Sequence, residues 1–149
     1  MKRCRLLPLV MLLCACGFDR DRPAPVEPEA EASLSVEVLS PRTGEVVGAG
    51  SAVVVEVSAR DLTGEHLHGV GFVARRSGSG GNATLDSVVE STGAQAQAVR
   101  EFTFTVPAGL PVNTQVDVFG LAFGPGSQSR ASSPRSVTVI PCSNGIPGC

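Results

Sequence analysis

The chain of 149 residues contains no tryptophan and no tyrosine, and its whole aromatic content is six phenylalanines. A carbohydrate-binding face or an aromatic cage is generally built on Trp or Tyr platforms, so neither class is expected. There are two histidines, His66 and His68, side by side on one stretch. A serine hydrolase needs a nucleophile elbow and a separately placed histidine base, and no Gly-x-Ser-x-Gly string occurs. No pair of carboxylates stands at a readable catalytic spacing, so the sequence reads as non-enzymatic. Lysine is confined to Lys2; every later cation is an arginine. From residue 16 onward nine arginines face fourteen acids, a net side-chain charge of −5. That balance lacks the basic patch of a nucleic-acid binder. Nothing in the composition calls for a cofactor, and no small-molecule ligand is implied.

What is present begins at the amino terminus. Lys2, Arg3 and Arg5 precede an apolar run from Leu6 to Leu13, interrupted by Pro8. Eight residues are too few for a hydrocarbon core that takes about 20. A positive tip, a short apolar run and small residues form the pattern of a cleaved export signal. Leu13-Cys14-Ala15-Cys16 resembles the lipobox of bacterial lipoproteins: an aliphatic residue at −3, a small one at −1 and the acceptor cysteine at +1. The resemblance implies cleavage after residue 15 and a diacylglyceryl thioether on Cys16, often with an acyl group on the new amino terminus. Two or three chains anchor a protein stably to a membrane where one binds only marginally. Gly17 in place of Asp points to outer-membrane sorting over inner-membrane retention. Whether the anchored domain faces the periplasm or the cell exterior is left open by the residues.

The expected organisation follows. Residues 1–15 are the signal, and 16–33 the lipidated end with a disordered, Pro- and Glu-rich stalk. Residues 34–140 form the folded domain, and 141–149 a tail. Cys4 and Cys14 leave with the signal and Cys16 takes the lipid. Cys142 and Cys149 remain as an even pair, expected to form a disulfide in an oxidising compartment.

From Leu34 the hydrophobic period becomes two. Leu34, Val36 and Val38 alternate with polar residues, as do Val53, Val55, Val57 and Ala59, then Phe102, Phe104 and Val106. Val70, Phe72 and Ala74 open another strand; Arg75 to Asn82 reads as a mobile Gly/Ser-rich loop, and Thr84 to Glu90 as a short edge strand. Gly93 to Val99 fits a helical turn or a strand start equally. Val116 to Phe123 and Ser136 to Ile140 complete about seven short strands with turn signals roughly every ten residues, the pattern of an antiparallel β-sandwich. No stretch has the length and 3.6-residue period of an amphipathic helix. Val38-Leu-Ser-Pro41, Gly44, Gly50, Val53 to Ala59, Asp61, Gly64 and Val70-Gly-Phe72 resemble the opening strands of bacterial immunoglobulin-like domains. The resemblance covers about Ser33 to Ile140 and implies a single all-β Ig-like domain. Ala122-Phe123-Gly124 departs from an Ala-x-Asp of that class, and the disulfide, tryptophan and tyrosine of antibody domains are absent.

Two features invite a functional reading. On extended backbone His66 and His68 point the same way and would share a metal if Asp61 or Glu65 supplied a further ligand; a solvated loop is the plainer account. The strand at 116–123 is apolar on both faces: Val116, Val118, Gly120 and Ala122 on one, Phe119, Leu121 and Phe123 on the other. With Val73 from a neighbouring strand, the second set makes an exposed patch for a protein partner if the sandwich covers only the first. If instead the Phe set faces the core, or residues 76–98 fold over it, there is no such patch. The expected role is a lipid-anchored, non-catalytic binding, adhesion or assembly module. The rival is a structural or accessory subunit of an envelope complex, and a lesser one a metal-binding lipoprotein using His66 and His68.

Overall fold

The computed structural model describes residues 33–78 and 83–142. Contacts divide the chain into Met1–Glu31 and Ala32–Cys149, and the second unit is the one described below. The signal, Cys16, nearly all of the expected stalk, Asn82 and Cys149 lie outside the described residues.

Alternating sequence becomes alternating burial. In β3 (Ala52–Asp61), Val53, Val55, Val57, Ala59 and Asp61 point inward while Val54 and Arg60 stay exposed. Successive side chains on a strand face opposite ways, so one register commits the whole set. Around β3, β1 (Leu34–Ser40) pairs on one side and β6 (Gln97–Thr105) on the other, both antiparallel. This is the smaller sheet. The larger runs in the order β2 (Val46–Gly48), β9 (Arg135–Ile140), β7 (Gln115–Phe123), β4 (Leu67–Ser77) and β5 (Thr84–Gln95), with β8 (Ser129–Ala131) added to β7. β2 lies parallel to β9 and all other pairs are antiparallel.

The two sheets close on one apolar core. Phe72 from the larger sheet meets Phe102 and Phe104 of the smaller, with ring centres 5.4 and 6.4 Å apart. Val38, Val55, Val57, Val70, Val116, Val118, Val137 and Val139 fill the space around them. Burying a side chain of this size contributes roughly 1.5–3 kcal/mol each. The sheets approach closely at Gly120. A Cβ there would stand 2.9 Å from Val57 Cγ1 and 3.1 Å from Val36 Cγ2. Glycine at this inward position of β7 lets valines of both β1 and β3 reach the strand.

A three-stranded sheet facing a larger one, with consecutive strands switching between them, is an immunoglobulin-like β-sandwich. The strands span Leu34 to Ile140. The differences from the sequence reading are local. β2 and β8 have three residues each, too short to show a period of two. Arg75 to Ser77, read as loop, continue β4, because Arg75, Arg76 and Ser77 pair with Asp117, Val116 and Gln115 of β7. The edge strand β5 is twelve residues long and runs to Gln95. The ambiguous Gly93–Val99 stretch is strand on both sides of Ala96, where the chain crosses from the larger sheet to the smaller.

Candidate functional site

The register of β4 against β7 decides the question of the Phe set. Val73 lies opposite Phe119, Gly71 opposite Leu121 and Gly69 opposite Phe123. Paired residues share a face, so all of these stand on one side of the sheet. The opposite side carries Val70, Phe72, Ala74, Val118 and Ala122, which are fully buried in the core. Phe119, Leu121 and Phe123 therefore look away from the core and are half-buried. The four residues singled out in the sequence form one contiguous outward face.

The strand order explains how they are partly covered. β4 is flanked by β7 and β5, so its outward Val73 is hemmed in by neighbours and only 8% exposed. Residues 83–95 do not fold over the face; β5 extends the sheet beside β4. One β5 residue leans back. A Cβ on Gly71 would come within 2.9 Å of Val89 Cγ2, and one on Gly69 within 3.3 Å of Val89 Cγ1 and 3.7 Å of the Phe123 ring. The two glycines thus make a shallow trough in which Val89 and Phe123 rest. Glycine in a strand often marks such a close approach.

The polar rim lies at one end. The Arg75 guanidinium carbon stands 5.8 Å from the centre of the Phe119 ring, a cation–π arrangement. Beyond it, Asp117 accepts hydrogen bonds from the hydroxyls of Ser77 and Ser136, the latter at 2.5 Å. Those bonds engage both oxygens of Asp117 and tie β4, β7 and β9 together.

The histidines lie at the start of β4, ahead of Gly69. His66 ends the loop before β4 and His68 lies in it, both exposed, with ring centres 5.3 Å apart. Among the described residues no three His, Cys, Asp or Glu gather in a metal-holding group. Asp61 faces inward at the end of β3, and its Oδ1 accepts bonds from the Thr63 hydroxyl at 2.5 Å and the Thr63 N–H at 2.8 Å. The Thr63 hydroxyl is the leading influence that holds the Asp61 carboxyl below its ordinary range, against the opposing effect of burial. Its Oδ2 is buried with no hydrogen-bond partner among the described residues. Asp61, a candidate metal ligand in the sequence, closes a turn with Thr63. Cys142 is not a free thiol. No described helix is long and apolar enough to cross a membrane.

No family model matches the chain, and no curated protein matches it. Among solved structures it resembles a fibronectin(III)-like module of CbhA from Clostridium thermocellum. The TM-score is 0.46 and the identity 19%, over 73% of this chain and 99% of that one. A Niemann-Pick type C2 protein from the Japanese carpenter ant matches with a TM-score of 0.48 and 8% identity, over 70% of this chain and 89% of that one. The sporulation control protein Spo0M of Bacillus subtilis matches with a TM-score of 0.46 and 15% identity, over 74% of this chain and 49% of that one.

Proposed function

We propose that the protein is a non-catalytic envelope module, tethered by lipid on Cys16, that meets a protein partner through the outward face of its larger sheet. The observation that carries the reading is the β4–β7 register, which sets Phe119, Leu121, Phe123 and Val73 side by side on a face turned away from the core. Contiguous apolar surface of this kind marks contact sites more often than scattered single residues do. Val54 and Val99, exposed on the smaller sheet, serve as the comparison.

The partner reading covers adhesion and assembly alike, and an accessory subunit would use the same face permanently. A metal-binding role finds less support, since His66 and His68 lack a third ligand among the described residues. The Cys142–Cys149 ring belongs to the same proposal, as a staple after the last strand formed in an oxidising compartment. Counting thiols in the unreduced protein tests it: none from this pair is expected, and two would remove the staple.

Site-specific photocrosslinking in intact cells tests the partner face. A photoreactive residue at position 121 should give a discrete adduct that the same residue at position 54 does not. Equal labelling from both positions, or none from 121, contradicts the proposal.

A further inference from the structure

We infer that the open edge of β5 pairs with β5 of a second copy of this chain, antiparallel about a two-fold axis at Val89, joining two larger sheets into one. β5 ends its sheet, with β4 as its sole pairing partner among the described residues. An edge strand presents a row of unpaired N–H and C=O groups, and proteins blunt such edges with short strands, bulges, Lys or Pro. β5 is twelve residues long and contains no Lys, Arg or Pro. β5 carries two acids, Asp86 and Glu90, and a register shift at each end, and between the shifts six residues run regular. β1 is bulged between Val38 and Ser40, β2 has three residues, and β6 carries Arg100 and Glu101 at mid-strand.

Which backbone groups face the open edge follows from the hydrogen bonds. Gly120 C=O of β7 accepts a hydrogen bond from Ser132 N–H at 2.9 Å, away from β4, so its neighbours Phe119 and Leu121 bond toward β4. In an antiparallel ladder the groups alternate between sides. Val73 and Gly71 therefore bond to β7, while Phe72 and Val70 bond to Val88 and Glu90 of β5. Arg76 N–H, bonded to Ala83 C=O at 2.9 Å, obeys the same parity. What remains for the open edge is Ser87, Val89 and Ser91. Ser87 N–H indeed finds nothing in the ladder and bonds the adjacent Asp86 carboxylate at 2.8 Å.

The register follows from the regular span, which is most fully paired about Val88 or Val89, and from charge, which decides between them. β5 is regular from Asp86 to Ser91, between register shifts at its two ends. Two-fold symmetry requires some residue to face its own copy. Centring on Val88 sets Asp86 opposite Glu90 of the second copy, and like charges directly opposite are destabilising. Centring on Val89 sets Glu90 opposite Val88 and Asp86 opposite Thr92. Ser87 then meets Ser91, and both have backbone groups facing the gap. Val89, 52% exposed, would be covered by its counterpart, and the apolar faces of the two copies would run together across the axis. Glu90 is already occupied by Arg100, 4.0 Å away. This pairing is independent of the partner face proposed above, since a partner on Phe119 and Leu121 needs no open edge.

Sedimentation equilibrium and oxidative trapping of the purified full chain test the pairing. The wild type should sediment as a dimer that dissociates on dilution. Ser91→Pro removes an N–H that faces the gap and none that bonds β4, so it should weaken the dimer at least about tenfold with its melting temperature retained. Val89→Cys should be trapped as a covalent dimer well above the wild-type background, because Cα atoms of such a pair stand about 5.5 Å apart. Val88→Cys, two residues out of register with its own copy, should not. A wild type that is monomeric throughout, a folded Ser91→Pro variant with an unchanged dimer, or trapping through Val88→Cys as efficient as through Val89→Cys would each overturn the inference. Should Ser91→Pro fail to fold, the two cysteine variants decide alone.

Discussion

Arg75 lies over Phe119, its guanidinium carbon 5.8 Å from the ring centre, on the sheet face turned away from the core. Arg75 is exposed and Phe119 half-buried, so the cation shields one side of a ring that the sandwich leaves uncovered. Exposed cation–π pairs contribute about 0.5–1 kcal/mol. Arg75→Gln should therefore lower stability by about 0.5 kcal/mol in urea denaturation. A loss several times larger would mean that Arg75 has a structural partner beyond the ring.

Gly120 is a packing requirement of a different kind. A methyl group at this position meets Val57 and Val36 across the interface between the sheets. Overpacking a filled core costs typically about 1–3 kcal/mol. Gly120→Ala should destabilise by about that amount while the m-value stays unchanged. A neutral substitution would show that the sheets part easily here.

Much of this architecture is legible from the period of two. β3 and β6 announce their inward faces through Val53, Val55, Val57 and Phe102, Phe104, and the burial follows the alternation. β2 and β8 escape because three residues carry no period, and they are held by β9 and β7 respectively. The extension of β4 through Arg75–Ser77 escapes because its residues are polar; the pairing with β7 that orders them is non-local. The same limit applied to the Phe set. A strand apolar on both sides does not say which side is core; in the fold Gly120 lies inward with Val116 and Val118, close against Val57 and Val36, and Phe119 and Leu121 lie outward. The glycines at 69 and 71 accommodate Val89.

Asp61 links stability to pH. Its folded carboxyl is held below the ordinary range, chiefly by the Thr63 hydroxyl. A depressed carboxylate contributes stability above the unfolded value, near 3.9, and that contribution is lost as pH falls through the folded value. Thr63→Val removes the hydroxyl and keeps the backbone N–H. The variant should melt below wild type at pH 7, and the gap should narrow toward pH 2. A gap that is constant with pH would assign the loss to packing alone.

The tether has its own test. Labelled palmitate should enter the wild-type protein in bacterial cells and fail to enter Cys16→Ala. Equal labelling of both, or of neither, reduces the account to a sandwich exported without an anchor and leaves the fold untouched.

The central claim is that the face carrying Phe119 and Leu121 serves contact more than folding. Half-buried side chains on an outward face contribute about 1 kcal/mol each, less than the roughly 1.5–3 of full burial. The most direct measurement pairs thermal melting of Phe119→Ser, Leu121→Ser and the inward Val118→Ser with crosslinking of each protein in intact cells from a photoreactive residue at position 123, on the same face. The account predicts cooperative melting within several degrees of wild type for the two outward variants, with the partner adduct lost, and a much larger loss of stability for Val118→Ser. Outward variants that unfold as Val118→Ser does, or that fold and keep the adduct, would contradict it.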